Sequence, residues 1–171
     1  VMWFGERLIE EGLLTPEQLA MALRAQEKYG GRLGTCLVDL GFLDADALAR
    51  ALARLWGVAP ALTKHFRQVD DRVKALIPGP IADRYNVVPL GVTTAGAPRL
   101  VAAFVDPTPA HLEEVAFALS RRVEPGAAPE HMVHYFLERL YGVERAARAR
   151  RVLLQFPSAH VDRRLAAAAE G

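Results

Sequence analysis

Few side chains in this sequence are equipped for chemistry, and their spacing narrows what they do. His131, His134 and Glu138 fall at helical spacing, and a zinc site can draw on such donors. The histidines are three residues apart rather than four, and no HExxH with its general base is present, so surface histidines on a C-terminal helix are the expectation. Cys36 is the only cysteine; it excludes a disulfide or cysteine-based zinc framework within one chain and reads as a small packing or half-exposed residue. Ser120 and Ser158 are the only serines, and neither sits in a GxSxG context. Asp70 and Asp71 are adjacent, so they point apart and suit a helix N-cap better than paired acid–base work. No GxxxxGKS or GxxxxGKT occurs, and no GxGxxG follows a strand. The chain is therefore read as non-enzymatic, with no metal and no cofactor. The arginines at 145, 148, 150 and 151 have no interleaved aromatics and read as a solvated linker helix.

The background to these residues is that of a globular protein. Of 171 residues, 51% are hydrophobic and 24% charged, enough apolar material for a core without staples. The 21 basic and 20 acidic side chains leave a net charge of +1, so no global field points to nucleic acid or an acidic membrane. The longest apolar runs, VVPLGV and LVAAFV, fall far short of the roughly 20 residues that span a bilayer. Neither nucleic-acid binding nor direct membrane insertion is expected. With no basic-then-apolar signal segment and a single thiol, the expected compartment is the cytoplasm.

What positions the remaining candidates is an internal repeat at an offset of 29 residues. Gly5 falls on Gly34, Leu8 on Leu37, Ile9 on Val38, Gly12 on Gly41, Leu14 on Leu43, Leu19 on Leu48, Ala22 on Ala51 and Leu23 on Leu52. Each copy reads as two short helices. Gly12 and Gly41 close the first of each pair as left-handed caps, and Thr15 and Asp44 open the second as N-caps, with Pro16 at the first helical position. Leu19, Ala22, Leu23 and Gln26 form one stripe; Leu48, Leu52 and Leu55 form the other.

Beyond a loop over 60–68 the texture changes. Brief helices are expected over 72–77 and 81–85, and strands over 87–92 and 100–105. A helix over 107–120 follows, then a short strand over 122–124 and an amphipathic helix over 129–141 with Met132, Tyr135, Phe136 and Leu140 inward. The expected fold is α+β: a helical tandem-repeat subdomain at 1–58 packed on a small mixed α/β subdomain at 59–142, with 143–171 a linker or tail.

The repeat also carries a resemblance. Arg32-Leu33-Gly34, Leu37-Val38, Gly41, Phe42-Leu43, Leu48 and Leu52 resemble the RLGxxLLxxGLLxxxxLxxxLxxQ pattern of the MshE N-terminal (GspE N-terminal) domain family, and Phe4-Gly5 through Gln26 is similar to the same pattern. Leu76-Ile77-Pro78, the run from Tyr85 to Leu90, Val105-Asp106-Pro107-Thr108 and Leu140-Tyr141-Gly142 look like further landmarks, so the resemblance covers roughly 2–142. These domains front the assembly ATPases of type II secretion and type IV pili. The resemblance implies one of two activities. One is binding of cyclic di-GMP, each motif taking one guanine half; the other is ligand-free docking between the ATPase and its inner-membrane platform. An ATPase core would then lie on another chain or beyond these residues.

For a ligand, the candidates are Trp3, Phe4, Gly5, Leu19, Leu23 and Gln26 in the first copy, Arg32, Leu33, Gly34, Leu48 and Leu52 in the second, and Asp106 from the later landmark. The glycines permit close backbone approach, the leucines offer flat apolar faces, and Arg32 can stack on guanine, bond its O6/N7 edge or meet a phosphate. The chain departs from the pattern where Trp3 and Phe4 replace arginine and leucine, and where Leu55 replaces glutamine. Trp3 offers a stacking face but no charge.

Overall fold

A computed structural model describes residues 3–142. Four helices come first: α1 (Phe4–Glu10), α2 (Pro16–Tyr29), α3 (Leu33–Asp39) and α4 (Ala45–Trp56). Local chemistry accounts for their ends. Thr15 and Gln18 form a reciprocal capping box at α2, the Thr15 hydroxyl accepting the Gln18 N–H at 3.1 Å and Gln18 Oε1 accepting the Thr15 N–H at 3.0 Å. Asp44 Oδ1 accepts the Ala47 N–H at 2.7 Å and opens α4. Gly12 and Gly41 follow α1 and α3 at φ 75° and 80°, the left-handed region where a Cβ is penalised.

The second half begins with β1 (Ala59–Pro60) and continues through α5 (Thr63–Arg67), α6 (Asp71–Lys74), α7 (Gly79–Tyr85), β2 (Val87–Val92), β3 (Leu100–Phe104), α8 (Pro109–Leu119), β4 (Val123–Ala127) and α9 (Glu130–Tyr141). The sheet order is β1-β4-β3-β2. β3 runs parallel to β4 and β4 to β1, whereas β2 pairs antiparallel with β3 and carries a register shift between Pro89 and Gly91. Asp70 caps α6, accepting the Val73 N–H at 2.9 Å. The protein is α+β, and most of its buried apolar side chains form one cluster running from Leu8 and Leu37 through Val88 and Phe104 to Leu137. Fully burying one such leucine or phenylalanine is worth about 1.5–3 kcal/mol.

Four expectations need correction. The segment 60–68 is not a loop: Ala59–Pro60 pairs with β4, and α5 follows because His65 Nδ1 accepts the Leu62 N–H and Asp46 Oδ1 accepts the Thr63 N–H. The third expected strand extends to Ala127, since it lies between β3 and β1 and finds partners on both edges. His131 and His134 are not surface residues; they are 3% and 9% exposed, because α9 is packed on both flanks of its apolar stripe. Leu23 points outward from α2 at 46% exposure, while Ala22 takes the buried position. Cys36 is fully buried, and burial pushes its thiol up to about 11. The readings for the arginines at 145–151, for Ser158 and for the tail at 143–171 lie outside the described residues, as do Val1 and Met2.

Candidate functional site

The parallel pair β3 and β4 ends side by side, and the residues just past each strand face the second helical repeat. From β3 come Val105 and Asp106; from β4 come Ala128, Pro129 and Glu130, the last in the first turn of α9. Opposite stand Arg32, Leu33, Gly34 and Thr35 at the start of α3 and Leu48, Leu52, Leu55 and Trp56 along α4. Phe4 and Gln26 of the first repeat complete a cavity of about 280 Å³. Crevices at the carboxyl ends of parallel strands are a recurrent ligand location.

Arg32 organises this cavity. Its Nη1 and Nη2 donate to Asp106 Oδ1 and Oδ2 at 2.9 and 2.8 Å, and its Nε pairs with Glu130. The bond to Asp106 is the main cause of a guanidinium pKa raised above its ordinary value, so Arg32 stays charged. With the Arg32 and Asp106 side chains 50% and 47% exposed, the pair contributes at most about 1 kcal/mol to stability. Its consequence is geometric: two carboxylates occupy the edge of the guanidinium and fix its plane at the cavity wall.

Of the residues expected to bind a ligand, the fold brings together Phe4, Gln26, Arg32, Leu33, Gly34, Leu48, Leu52 and Asp106. Trp3, Gly5, Leu19 and Leu23 do not line this cavity. Trp3 is 75% exposed. Both motif glycines face leucines: a Cβ on Gly5 would stand 2.6 Å from Leu19 Cδ1 and 3.3 Å from Leu33 Cδ2 of the second repeat, and one on Gly34 3.0 Å from Leu48 Cδ2. Their immediate role is to let each helix pair pack closely. Thr35, Trp56, Val105, Ala128, Pro129 and Glu130 were not anticipated. Trp56 follows the last residue of the α4 stripe and Glu130 follows a helix-opening proline, so local sequence marks both only as helix ends.

A second concavity, of about 310 Å³, lies between the N-terminus of α4 and α5 and is lined by Asp44, Asp46, Thr63, Lys64 and Arg67. Its acids are already engaged: Asp44 caps α4, and Asp46 Oδ1 accepts both the Thr63 N–H and hydroxyl at 2.8 Å. Among the described residues, no three His, Cys, Asp or Glu side chains converge as metal ligands, and no helix is long and apolar enough to cross a membrane.

The type IV pilus assembly ATPase PilB of Myxococcus xanthus is 33% identical over 138 residues, which is 80% of this chain and 24% of that protein. PilB of Thermus thermophilus is 35% identical over 139 residues, 80% of this chain and 15% of that one. The chain thus spans less than a quarter of the length of these curated relatives. A solved structure of MshE with cdg aligns at a TM-score of 0.56 and 29% identity, covering 82% of this chain and 100% of that one. Residues 58–147, more than half of the sequence, match the MshEN domain. The family match, the relatives and the fold agree, and the chain belongs to the MshEN domain family.

Proposed function

We propose that this chain is a non-enzymatic receptor module for cyclic di-GMP in a type IV pilus or type II secretion-type system, acting in the cytoplasm beside the assembly ATPase. The single observation that carries the reading is Arg32, clamped flat by Asp106 and Glu130 at an apolar cavity built from both halves of the chain. The likeness to MshE with cdg supports the choice of ligand. At about 280 Å³ the cavity sits at the small end of ligand pockets, which run roughly 300–1,000 Å³. It therefore suits one guanine half, with the rest of the two-fold molecule lying toward the first repeat. A base stacked on the Arg32 face and against Leu48, Leu52 and Trp56 uses the apolar lining, while the edge of the base meets the polar groups.

The test is calorimetric titration of the chain with cyclic di-GMP. Saturable binding is expected, and Arg32→Ala weakens it by about 1.5–3 kcal/mol with little change in melting temperature. Unaltered affinity in Arg32→Ala removes this cavity from the site.

One observation favours a second reading, a ligand-free docking module linking the ATPase to its membrane platform. The first repeat exposes Trp3 at 75%, with Met21 and Leu23 each at 46%, an apolar set of the kind that meets a protein. Titration without heat puts this reading first.

A further inference from the structure

The charges around the cavity are unbalanced. Its lining carries one cation, Arg32, against two carboxylates, Asp106 and Glu130. Asp106 uses both oxygens on Arg32 Nη1 and Nη2, whereas Glu130 engages Arg32 Nε through Oε2. A carboxylate has about four acceptor sites, so Glu130 retains capacity through Oε1. Its side chain is 27% exposed against 47% for Asp106, and a bond made there is screened less by water. The positive end of α9, which would otherwise attract an anion, has Glu130 itself in its first turn.

We infer that Glu130 selects guanine in this cavity, accepting hydrogen bonds from the N–H edge of the base while the pair of carboxylates keeps phosphate out. The inference rests on the receptor reading above and names the group that discriminates. Guanine presents adjacent N1–H and exocyclic 2-amino donors along one edge, a fit to a carboxylate. Adenine presents an acceptor at N1, which a carboxylate repels. A site selecting donors in this way rejects the wrong partner chiefly by leaving a buried polar group unpaired. Asp106, both of whose oxygens already hold Arg32, serves mainly to fix the guanidinium.

The experiment titrates wild type, Glu130→Gln and Glu130→Asp with cyclic di-GMP and with cyclic di-AMP, melting temperatures being recorded in parallel. Wild type is expected to prefer cyclic di-GMP. Glu130→Gln should lower that affinity roughly tenfold or more and erase most of the preference, and Glu130→Asp should restore part of both. Unchanged or tighter cyclic di-GMP binding in a folded Glu130→Gln overturns the inference, because a cavity that seats phosphate gains by losing a carboxylate. Wild type supplies an independent measurement: inorganic phosphate at millimolar concentration should not compete, and competition overturns the inference even if Glu130→Gln fails to fold. Wild type that binds neither dinucleotide overturns the receptor reading and this inference together. Binding that is indifferent to Glu130 overturns only the inference.

Discussion

Leu19 and Leu48 hold the same place in the two copies of the repeat, yet Leu19 is half-buried and Leu48 is 1% exposed. The same contrast runs through the helices that carry them. In α2 only Ala22 is buried, whereas α4 buries Ala45, Leu48, Ala49, Ala51 and Ala53. The cause lies outside the repeat. The second copy packs against β1 and β4 and pairs with the start of α9 through Arg32, while the first, among the described residues, packs chiefly against the second through α2 and α3. A repeated pattern specifies two equivalent helix pairs; the neighbour decides which pair becomes a wall of the core and which keeps its motif residues on the surface.

That comparison is open to direct attack. The largest effect is expected from truncation: Leu48→Ala should cost about 3 kcal/mol in urea unfolding and Leu19→Ala about 1 kcal/mol, since only the former leaves an unrelaxed cavity. Equal losses would mean that the two copies are packed alike. Next come the glycines. Gly5→Ala makes the shorter contact, 2.6 Å against 3.0 Å, but with the tip of a half-buried leucine, whereas Leu48 is fully enclosed. Gly34→Ala is therefore expected to destabilise by about 2 kcal/mol and Gly5→Ala by under about 1 kcal/mol. The reverse order would show that distance, not confinement, sets the cost.

Trp3→Arg with Leu55→Gln sharpens the comparison by restoring the motif arginine to the first copy and the motif glutamine to the second. Trp3 and Leu55 are 75% and 39% exposed, so stability should change by no more than about 0.5 kcal/mol. Under the receptor reading, cyclic di-GMP affinity should rise about tenfold. Calorimetry showing no gain, with binding otherwise intact, would assign these residues to a protein contact.

The smallest effect concerns how the second copy is anchored. His65 Nδ1 accepts the Leu62 N–H at 2.9 Å, so the fold holds the ring neutral; burial, then Lys64, pushes its pKa below the ordinary value. Its contribution is complete above the ordinary histidine pKa of about 6.5 and is lost as pH falls toward the folded-state value. Thermal melts at about pH 7.5 and about pH 5.5 should show wild type losing a few tenths of a kcal/mol more than His65→Asn. Parallel losses in the two proteins would exclude His65 from that slope.

The helices of the repeat were legible in the sequence because their signals are local: Thr15 and Asp44 as caps, Gly12 and Gly41 as stops, and leucines at helical spacing. Strands β2 and β3 were legible for the same reason, each being a continuous apolar run. The two-residue β1 was not, since Ala59–Pro60 becomes a strand only by lying against Gly126–Ala127. Half of the cavity was hidden in a similar way. Arg32 stands out in a motif and Asp106 in a landmark, but no spacing rule connects either to Glu130, which reaches Arg32 only because β3 and β4 end together. The burial of His131 and His134 was equally invisible: whether an exposed-looking polar position on α9 meets water depends on what packs over it.

The shift in register between Pro89 and Gly91 has a consequence for how the molecule behaves among its own copies. An open sheet has two rims, and a rim of unpaired amides is a template on which foreign strands polymerise. Here one rim ends in β1, only two residues long and half proline, too short to recruit a partner. The other is β2, where Pro89 offers no N–H and the bulge breaks the rhythm of the amides that remain. Neighbouring copies thus meet two blunted rims, which disfavours fibril-like strand addition.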